Sequence, residues 1–591
     1  MKSALSTETF PFPVSTSSER ASAQPQRECD LRSVLIVAFA AVVVLLPIII
    51  FGVPNGPDLA NHFRFVQPFY ESIQAGHWHP GWLEESNNGF GDPRFRFYPP
   101  GLYYLLAGGR MLTGNWYAAS IVVFALLSIV GGLGAYFWAR AFCTPKIAMW
   151  AGVLYTIAPY HLNELYQSSL LSEYAACAIL PFAFAFTERV CHKRKVVDVA
   201  GLAVAFGLLV LMHLPMTVVG SISLAVYAAL RIERKKFSST ITRWATGICL
   251  GLGASAFFWT TMLAELSWIK GNSAEPNIYY DYHVNFLFSP SALVNRNTWY
   301  ANILALALLG FLLPGIALTY RFFKDRATDR GFKVMILLTL ITFLMATAIS
   351  RPVWAIVPKL SEIQFPWRWL AISSLTGSVL VAASIPKWMQ VFHSNLRPRD
   401  LAVALAFALS VVFTGTQIVQ DCEYLNRSRF GSLISEIRGA PSFKDWLPVT
   451  AHDLLHLDLK KSNVDAGSRS VTLQSWEPER RIFRIAAGPE TEARIRTFYY
   501  PDWVATAGEQ RLLMRADEDG AILISVPSTS NPLDINLEFQ EPSRVHWADL
   551  FSAISWILIA TLLLSQALST FCRNARRRAS ASSLSNSGTP I

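Results

Sequence analysis

Long apolar runs are the feature that most constrains how this chain can fold. Each run is about long enough, as a helix, to cross the hydrocarbon core of a bilayer. About twelve occur, near 34–52, 116–138, 147–160, 172–189, 197–212, 215–230, 242–263, 301–320, 333–349, 367–385, 401–419 and 549–570. Only 16% of the 591 residues are charged, against about 25% in soluble proteins. The sequence therefore predicts a polytopic, mainly α-helical membrane protein and excludes a soluble enzyme.

The basic residues indicate how the helices are oriented. Lys and Arg number 51 against 41 for Asp and Glu, and many lie in short connectors. These connectors include ERVCHKRK, RIERKK, RFFKDR and the tail RNARRR. If the N-terminus is cytoplasmic and the short apolar stretch 99–112 lies along the membrane surface, all of them face the cytoplasm, as the positive-inside rule requires. We assign the positive charge to these loops and not to nucleic-acid binding, and expect a bacterial inner membrane protein with both termini cytoplasmic.

The alternation of successive loops between the two faces of the membrane divides the chain into regions. Residues 1–30 are rich in Ser, Thr and Pro and are predicted to be a disordered cytoplasmic tail. Residues 31–420 form a transmembrane domain with a long outer loop at 53–115. In 421–548, alternation in SVTLQSW, RIFRIAA and AILISV predicts half-buried strands, hence a small exterior β-sandwich. A last transmembrane helix, 549–570, precedes a basic cytoplasmic tail, 571–591.

The outer loop 53–115 carries the strongest functional signal, since loops of this length are typically functional. Asp58 directly follows the first span, where desolvation can raise the pKa of its carboxyl group and suit it to general-base catalysis. The structural alternative is that Asp58 caps a helix LANHFRFVQPFYESI. His62, four residues later, can orient Asp58 or join it around a cation. Packing beneath aromatic rings is the alternative for His62.

Two arginines near the end of this loop are candidate phosphate ligands. Arg94 and Arg96 alternate with Phe95 and Phe97 just before Tyr98. This pattern would present two guanidinium groups at the height of lipid headgroups, where phosphate is a natural partner. Snorkelling interfacial arginine is the structural alternative.

Two further charged residues stand at the predicted outer ends of spans. Glu173 lies near the start of LLSEYAACAILPF, and ionisable residues at membrane depth tend to be functional. A glutamate favoured by the helix dipole is the alternative. Arg368 stands between Trp367 and Trp369, where a basic residue on the outer face suggests an anionic ligand such as a lipid phosphate, although an aromatic belt has the same pattern.

Other polar residues give weaker signals. His77 and His79 flank Trp78 but have no third ligand in register, so they do not predict a metal site. Asp281 and His283 in IYYDYHVNF are candidates from a later outer loop.

Several segments resemble known membrane families. The early Asp of the first outer loop, followed by YPPGLYYLL and a span ending in ARAF, resembles the GT-C class of glycosyltransferases, which use polyprenyl-phosphate sugars. PDLANHFRF, APYHLNELYQSSLLSEYAACAILP and QFPWRWL resemble the bacterial membrane family named after 6-pyruvoyl-tetrahydropterin synthase. FYYPDWVATAGEQ is similar to the exterior β-domain of YfhO-like membrane proteins. No pterin chemistry follows from the family's name.

The resemblance implies an inverting glycosyltransferase that moves a sugar from a polyprenyl-phosphate donor to an envelope glycan, lipid or protein on the non-cytoplasmic face. Asp58 corresponds by motif position to the catalytic base, with His62 holding it in place. The donor-phosphate ligands would come from a set of five residues: Arg94, Arg96, Tyr98, Glu173 and Arg368. The wider class allows a divalent cation, Mg²⁺ or Mn²⁺, although no ligand set in the sequence requires one.

Two other functions stay open at this stage. One is a transporter or flippase of a lipid-linked glycan, and the other is a non-catalytic envelope scaffold. Sugar transfer needs the carboxylate of Asp58, whereas transport and scaffolding should tolerate asparagine there.

Overall fold

The computed structural model describes residues 30–193, 195–272, 280–293, 295–318, 330–393, 397–441, 444–452 and 462–585. Of the predicted N-terminal tail, 1–30, all but Asp30 lies outside the described residues. The predicted C-terminal tail, 571–591, is described only to residue 585, where it continues the last helix.

An α-helix occupies each apolar run predicted from the sequence. The α-helices are Leu31–Val43, Leu46–Phe51, Leu59–Gln74, Ser86–Gly89, Gly101–Thr113, Trp116–Ala139, Pro145–Thr156, Pro159–Leu162, Leu171–His192, Val196–Met212, Leu214–Arg231, Phe237–Ala254, Ala256–Glu265, Arg296–Ala317, Arg330–Met345, Arg351–Ile356, Leu370–His393, Pro398–Gln420, Arg427–Glu436 and Ser543–Ser585. A proline follows the end of helix Pro145–Thr156, which stops three residues before Pro159, because the residue before a proline disfavours helical geometry.

Within the described residues, seven helices are long and apolar enough to cross a membrane. They are Trp116–Ala139, Leu171–His192, Leu214–Arg231, Arg296–Ala317, Pro366–His393, Pro398–Gln417 and Ser543–Ser565. An eighth span results if Arg234–Ala254 and Ala256–Trp268, which meet at 70°, count as one. The protein is therefore a multi-pass membrane protein, while the larger number of twelve spans stays a prediction.

The short apolar stretch 99–112 forms the 13-residue helix Gly101–Thr113. It begins after two prolines and ends at Gly114, whose φ of 75° favours glycine. A helix of this length rises about 20 Å, less than the roughly 30 Å of a hydrocarbon core. It is too short to be a span of its own.

Nine strands in the described residues of the C-terminal third form two antiparallel sheets. They are β3 (Val464–Asp465), β4 (Val471–Glu477), β5 (Arg480–Ile485), β6 (Thr491–Phe498), β7 (Trp503–Ala507), β8 (Gln510–Arg511), β9 (Met514–Ala516), β10 (Ala521–Val526) and β11 (Leu533–Phe539). One sheet has the order β3-β6-β10-β9 and the other β4-β5-β11-β7-β8. Ile495 and Ile522 from the first and Phe483 and Leu537 from the second share one buried cluster. A β-rich region is thus confirmed.

Two segments that are far apart in the sequence, one before and one after most of the membrane helices, also meet. Strand β1 (Val53–Pro54) pairs with β2 (Tyr424–Leu425), so the start of the first outer loop is joined to the start of the predicted exterior region. The boundaries of the predicted regions themselves stay predictions.

The predicted first outer loop, 53–115, contributes side chains to the core of the β-rich region. Trp82 packs edge-on against Trp503 with ring centroids 5.6 Å apart, and Phe90 lies 5.0 Å from Phe498. Gly91 permits this packing, because a Cβ there would lie 2.1 Å from Nε1 of Trp82 and its φ is +73°. The loop therefore belongs structurally to both parts of the molecule.

Arg96 is the centre of an ion-pair network at this junction. Its guanidinium donates to Glu265 at 2.5 and 2.6 Å, to Glu541 at 2.6 Å and to Asp502 at 3.1 Å. Glu265 also accepts hydrogen bonds from Tyr500 and Arg544. The side chain of Arg96 is only 1% exposed. This corrects the expectation that Arg96 binds a donor phosphate, because carboxylates of the protein already occupy its guanidinium.

Arg94 differs from its sequence prediction for the same reason. Its side chain is buried, pairs with Asp92 at 2.5 Å and lies over the ring of Phe65 at 4.1 Å. Asp92 is held in turn by the side-chain amide of Asn87 at 2.7 Å. Arg94 therefore stabilises the loop internally and is not displayed at the surface for a phosphate.

We expect Arg96→Met to weaken the junction strongly. Removing one partner of a buried ion pair typically lowers the free energy of unfolding by about 3–5 kcal/mol. The apparent melting temperature of the detergent-solubilised protein, followed by tryptophan fluorescence, should fall. Arg515→Met is the matched control, because Arg515 and Glu492 form an exposed pair at 2.8 Å, a kind worth less than about 1 kcal/mol. Equal shifts in the two variants would contradict a structural role for Arg96.

Candidate functional site

A tight turn places Asp58 at the start of helix Leu59–Gln74. Gly56 in this turn packs against the chain at Ser168 and Ser169, where a Cβ would lie 2.6 Å from the carbonyl carbon of Ser168. The Gly56 N–H also donates to Oγ of Ser169 at 3.0 Å. The turn is therefore fixed against the segment that leads into helix Leu171–His192.

Asp58 occupies the N-cap position of its helix, but its carboxylate makes no capping hydrogen bond. Within the described part of the chain, its side chain accepts one long hydrogen bond, from Nδ2 of Asn61 at 3.4 Å. The side chain is half-buried. Its carboxylate therefore keeps most of its hydrogen-bonding capacity unused.

Glu173 and Arg368 form a buried ion pair at the first turns of two membrane helices. Nε of Arg368 donates to Oε2 of Glu173 at 2.8 Å, and Oη of Tyr160 donates to Oε1 at 2.6 Å. Glu173 is 1% exposed and Arg368 is 6% exposed. Nη1 of Arg368 donates to the carbonyl oxygen of Ile363. Nη2 of Arg368 makes no hydrogen bond to any described residue, and it is not among the fully enclosed atoms. One edge of the guanidinium is therefore available to a ligand.

Asp58 and the Arg368–Glu173 pair are close enough to influence each other. Burial raises the pKa of Asp58 above its usual range, and Glu173 raises it further, while the Asn61 hydrogen bond and the charge of Arg368 lower it. Burial also raises the pKa of the Tyr98 hydroxyl; the charge of Asp58 raises this pKa further and the charge of Arg368 lowers it. The structure thus brings together four predicted residues from distant segments: Asp58, Tyr98, Glu173 and Arg368.

His62 lies beside this group but does not hold Asp58. Its Nδ1 lies 2.9 Å from the hydroxyl of Tyr103, and its Nε2 accepts from the N–H of Leu171 at 3.3 Å. Burial lowers the pKa of His62 to about 3, so the ring is neutral. The expected bond between imidazole and the Asp58 carboxylate is absent among the described contacts, because other groups use both ring nitrogens.

The weaker candidates lie in separate pairs. His77 pairs with Glu479 at 2.9 Å, and His283 pairs with Asp281 at 2.7 Å in an exposed loop. His79 packs edge-on against Phe257 with centroids 5.0 Å apart.

The described residues do not supply a ligand set for a divalent cation. Among them, no cluster of three or more His, Cys, Asp or Glu side chains could hold a metal ion. Near Asp58, the carboxylate of Glu173 is already bound by Arg368 and Tyr160.

Sequence reasoning missed the polar residues that lie behind Glu173. Tyr160 binds Glu173 directly, and the fully buried Glu164 accepts from Sγ of Cys177 at 3.2 Å. Burial and the charge of Glu173 raise the pKa of Glu164. The ring of His161 lies between Tyr155 and Tyr174, with centroids 5.0 and 4.6 Å away. The available signal was PYHLNELY, polar residues without a basic partner between two apolar runs.

Comparison with solved structures finds distant likenesses. Arabinofuranosyltransferase AftD from Mycobacteria is 16% identical over 66% of this chain and 27% of AftD, with a TM-score of 0.41. The oligosaccharyltransferase of Archaeoglobus fulgidus is 13% identical over 68% of this chain and 57% of that protein, with a TM-score of 0.44. ArnT from Cupriavidus metallidurans is 15% identical over 69% of this chain and 76% of ArnT, with a TM-score of 0.41. This chain therefore spans about a quarter of AftD and little more than half of the oligosaccharyltransferase.

Comparison with curated proteins finds no match. Comparison with protein families matches residues 95–425, more than half of the chain, to the 6-pyruvoyl-tetrahydropterin synthase related domain, described as a membrane protein. The matched range includes Tyr98, Glu173 and Arg368 and begins after Asp58. The chain belongs to the 6-pyruvoyl-tetrahydropterin synthase related family of membrane proteins, as its sequence motifs predicted.

Proposed function

We propose that this protein is a glycosyltransferase of the bacterial inner membrane. It would move a sugar from a polyprenyl-phosphate donor to an envelope acceptor on the non-cytoplasmic face. One observation carries the proposal: a carboxylate with unused hydrogen-bonding capacity, Asp58, lies near a guanidinium with a free N–H, Arg368. Proton removal from an acceptor hydroxyl and stabilisation of a departing phosphate need these two groups.

The proposed reaction is a single displacement that inverts the configuration at the anomeric carbon. The acceptor oxygen forms a bond to this carbon while its proton passes to the carboxylate of Asp58. The bond between the anomeric carbon and the phosphate oxygen breaks, and the electron pair leaves with the polyprenyl phosphate. Arg368 donates to the phosphate oxygens, where negative charge develops.

The neighbouring residues have different proposed tasks. Glu173 and Tyr160 hold the guanidinium of Arg368, so they are positioning residues. Tyr98 is proposed to donate a hydrogen bond to the donor phosphate. Arg94 and Arg96 have no part in donor binding, because Asp92, Glu265, Asp502 and Glu541 already pair with them.

Asp58→Asn tests the proposed base directly. We expect sugar transfer from radiolabelled polyprenyl-phosphate hexoses to envelope extract to fall by about 10²–10⁴-fold, the usual contribution of general-base catalysis. Donor binding should persist, because asparagine has nearly the same shape. Asp281→Asn is the control, since Asp281 is exposed and pairs with His283, and its activity should equal that of the wild type. Unchanged transfer in Asp58→Asn would remove Asp58 from the mechanism and favour transport or scaffolding.

Asn61→Ala should move the pH dependence of transfer. The hydrogen bond from Asn61 lowers the pKa of Asp58, so its loss should raise that pKa and leave more of the carboxyl protonated at a given acidic pH. The acid side of the rate profile should therefore shift to higher pH, with the rate at its plateau less affected. Transfer rates measured from acidic to neutral pH give the comparison. A uniform loss of rate without a shift would indicate only a structural effect.

Arg368→Lys keeps the positive charge but cannot reproduce the guanidinium's separate contacts to Glu173, Ile363 and a phosphate. By analogy with oxyanion-hole donors, we expect kcat to fall by about 10²-fold or more, with weaker donor binding. Arg351→Lys is the control, because Arg351 is exposed and its guanidinium makes one long hydrogen bond to a described residue, at 3.4 Å, with the carbonyl oxygen of His283. Full activity in Arg368→Lys would show that a point charge is sufficient.

A further inference from the structure

A polar cavity of about 310 Å³ lies away from Asp58, at the other end of helix Leu59–Gln74. Its volume is near the lower end of the range for small-molecule sites. The second half of this helix, the last turn of Gly101–Thr113 and the first residue of Trp116–Ala139 line it, together with helix Arg427–Glu436 and the adjoining Arg438.

Arg110 is the uncompensated charge of this cavity. Its guanidinium makes no hydrogen bond or ion pair with any described residue, its Nε is enclosed without a partner, and it lies 5.8 Å from the ring of Trp116. Arg438 differs, because Glu71 and Glu85 bind it at 2.9 and 3.1 Å. Burial and contact with Glu85 raise the pKa of Glu71 to about 8.

Aromatic rings, side-chain amides and the carboxyl group of Glu71, whose Oε2 is enclosed without a hydrogen-bond partner among the described residues, form most of the rest of the lining. Tyr70 and Trp116 meet edge to face with centroids 5.3 Å apart. Nε2 of Gln74 donates to the hydroxyl of Tyr70 at 3.0 Å, and Nε2 of Gln67 donates to the carbonyl oxygens of Phe63 and Ile434. The amide oxygens of both glutamines stay available as acceptors within the described part of the chain.

These groups complement an acidic sugar. Aromatic faces suit the apolar face of a pyranose ring, and amide oxygens accept from its hydroxyl groups. A guanidinium without a partner matches a carboxylate, which it can bind through two parallel hydrogen bonds. A bare phosphate would use the guanidinium but would leave the acceptor oxygens and the aromatic faces unused.

We infer that this cavity binds a uronic-acid unit of a glycan, with Arg110 on the carboxylate and Trp116 beneath the ring. The inference rests on the proposed function in one respect, that this glycan is the acceptor. Asp58 and Gln67 are nine residues apart on one helix, which corresponds to about 14 Å along its axis. The acidic sugar would thus be separated from the hydroxyl group that reacts by other sugar units of the same glycan.

The test compares two probes that differ only at C6, methyl β-D-glucuronide and methyl β-D-glucoside. Binding to the full-length protein in zwitterionic nanodiscs is measured by saturation-transfer NMR, for the wild type, Arg110→Gln and Gln74→Ala. We expect the glucuronide to bind more tightly than the glucoside, and Arg110→Gln to weaken glucuronide binding by about tenfold or more, as loss of a charged hydrogen bond implies. Gln74→Ala, an exposed position, should weaken both probes.

Arg429→Gln is the matched control, because Arg429 lies on helix Arg427–Glu436, which also lines the cavity, but pairs with Glu423 in an exposed contact; its binding should equal that of the wild type. Binding of neither sugar, or equal binding of both with no effect of Arg110→Gln, would overturn the inference. Displacement of the glucuronide by inorganic phosphate at equal concentration would also overturn it and indicate a site for lipid headgroups. The wild type separates the two proposals: glucuronide binding without sugar transfer would leave the cavity assignment intact and reject only the proposed reaction.

Discussion

The pairing of buried charge around Arg96 is the interaction on which the arrangement of this molecule depends. A guanidinium removed from water is tolerated only when carboxylates compensate it, and Arg96 meets three, Glu265, Asp502 and Glu541. These come from the end of a membrane helix, from the β-rich region and from the approach to the last helix. One side chain of the first outer loop thereby connects all three, and the chain continues from it directly to Tyr98.

The same requirement separates structural charges from candidate functional ones. Arg96 is fully engaged by carboxylates of the protein, whereas Arg368 uses Glu173 and a carbonyl oxygen and keeps one N–H available. Asp58 likewise accepts only one long hydrogen bond among the described residues, and Arg110 forms none. Unused hydrogen-bonding capacity in a partly enclosed place is therefore the feature that Asp58, Arg368 and Arg110 share.

Local pattern predicted much of this architecture. Apolar runs correspond to helices, and alternation corresponds to strands such as β5, β10 and part of β4. Four of the predicted site residues, Asp58, Tyr98, Glu173 and Arg368, lie together. Alternation with Phe95 and Phe97 predicts phosphate ligands at Arg94 and Arg96, but both pair within the protein. Arg94 pairs with Asp92, only two residues earlier, whereas the partners of Arg96 lie 169, 406 and 445 residues away. His62 was assigned to Asp58 by helical spacing, but its ring nitrogens reach Tyr103 and Leu171 instead.

The sequence by itself determined the membrane location, the helical class, the β-rich C-terminal region and the segments that carry the candidate site. These properties follow from hydrophobicity and periodicity, which act over a few neighbouring residues. Only the tertiary structure decided which charges are neutralised inside the protein and which stay available. An ion pair forms between residues that meet in space, and their separation along the chain leaves no periodic trace by which the partner could be recognised.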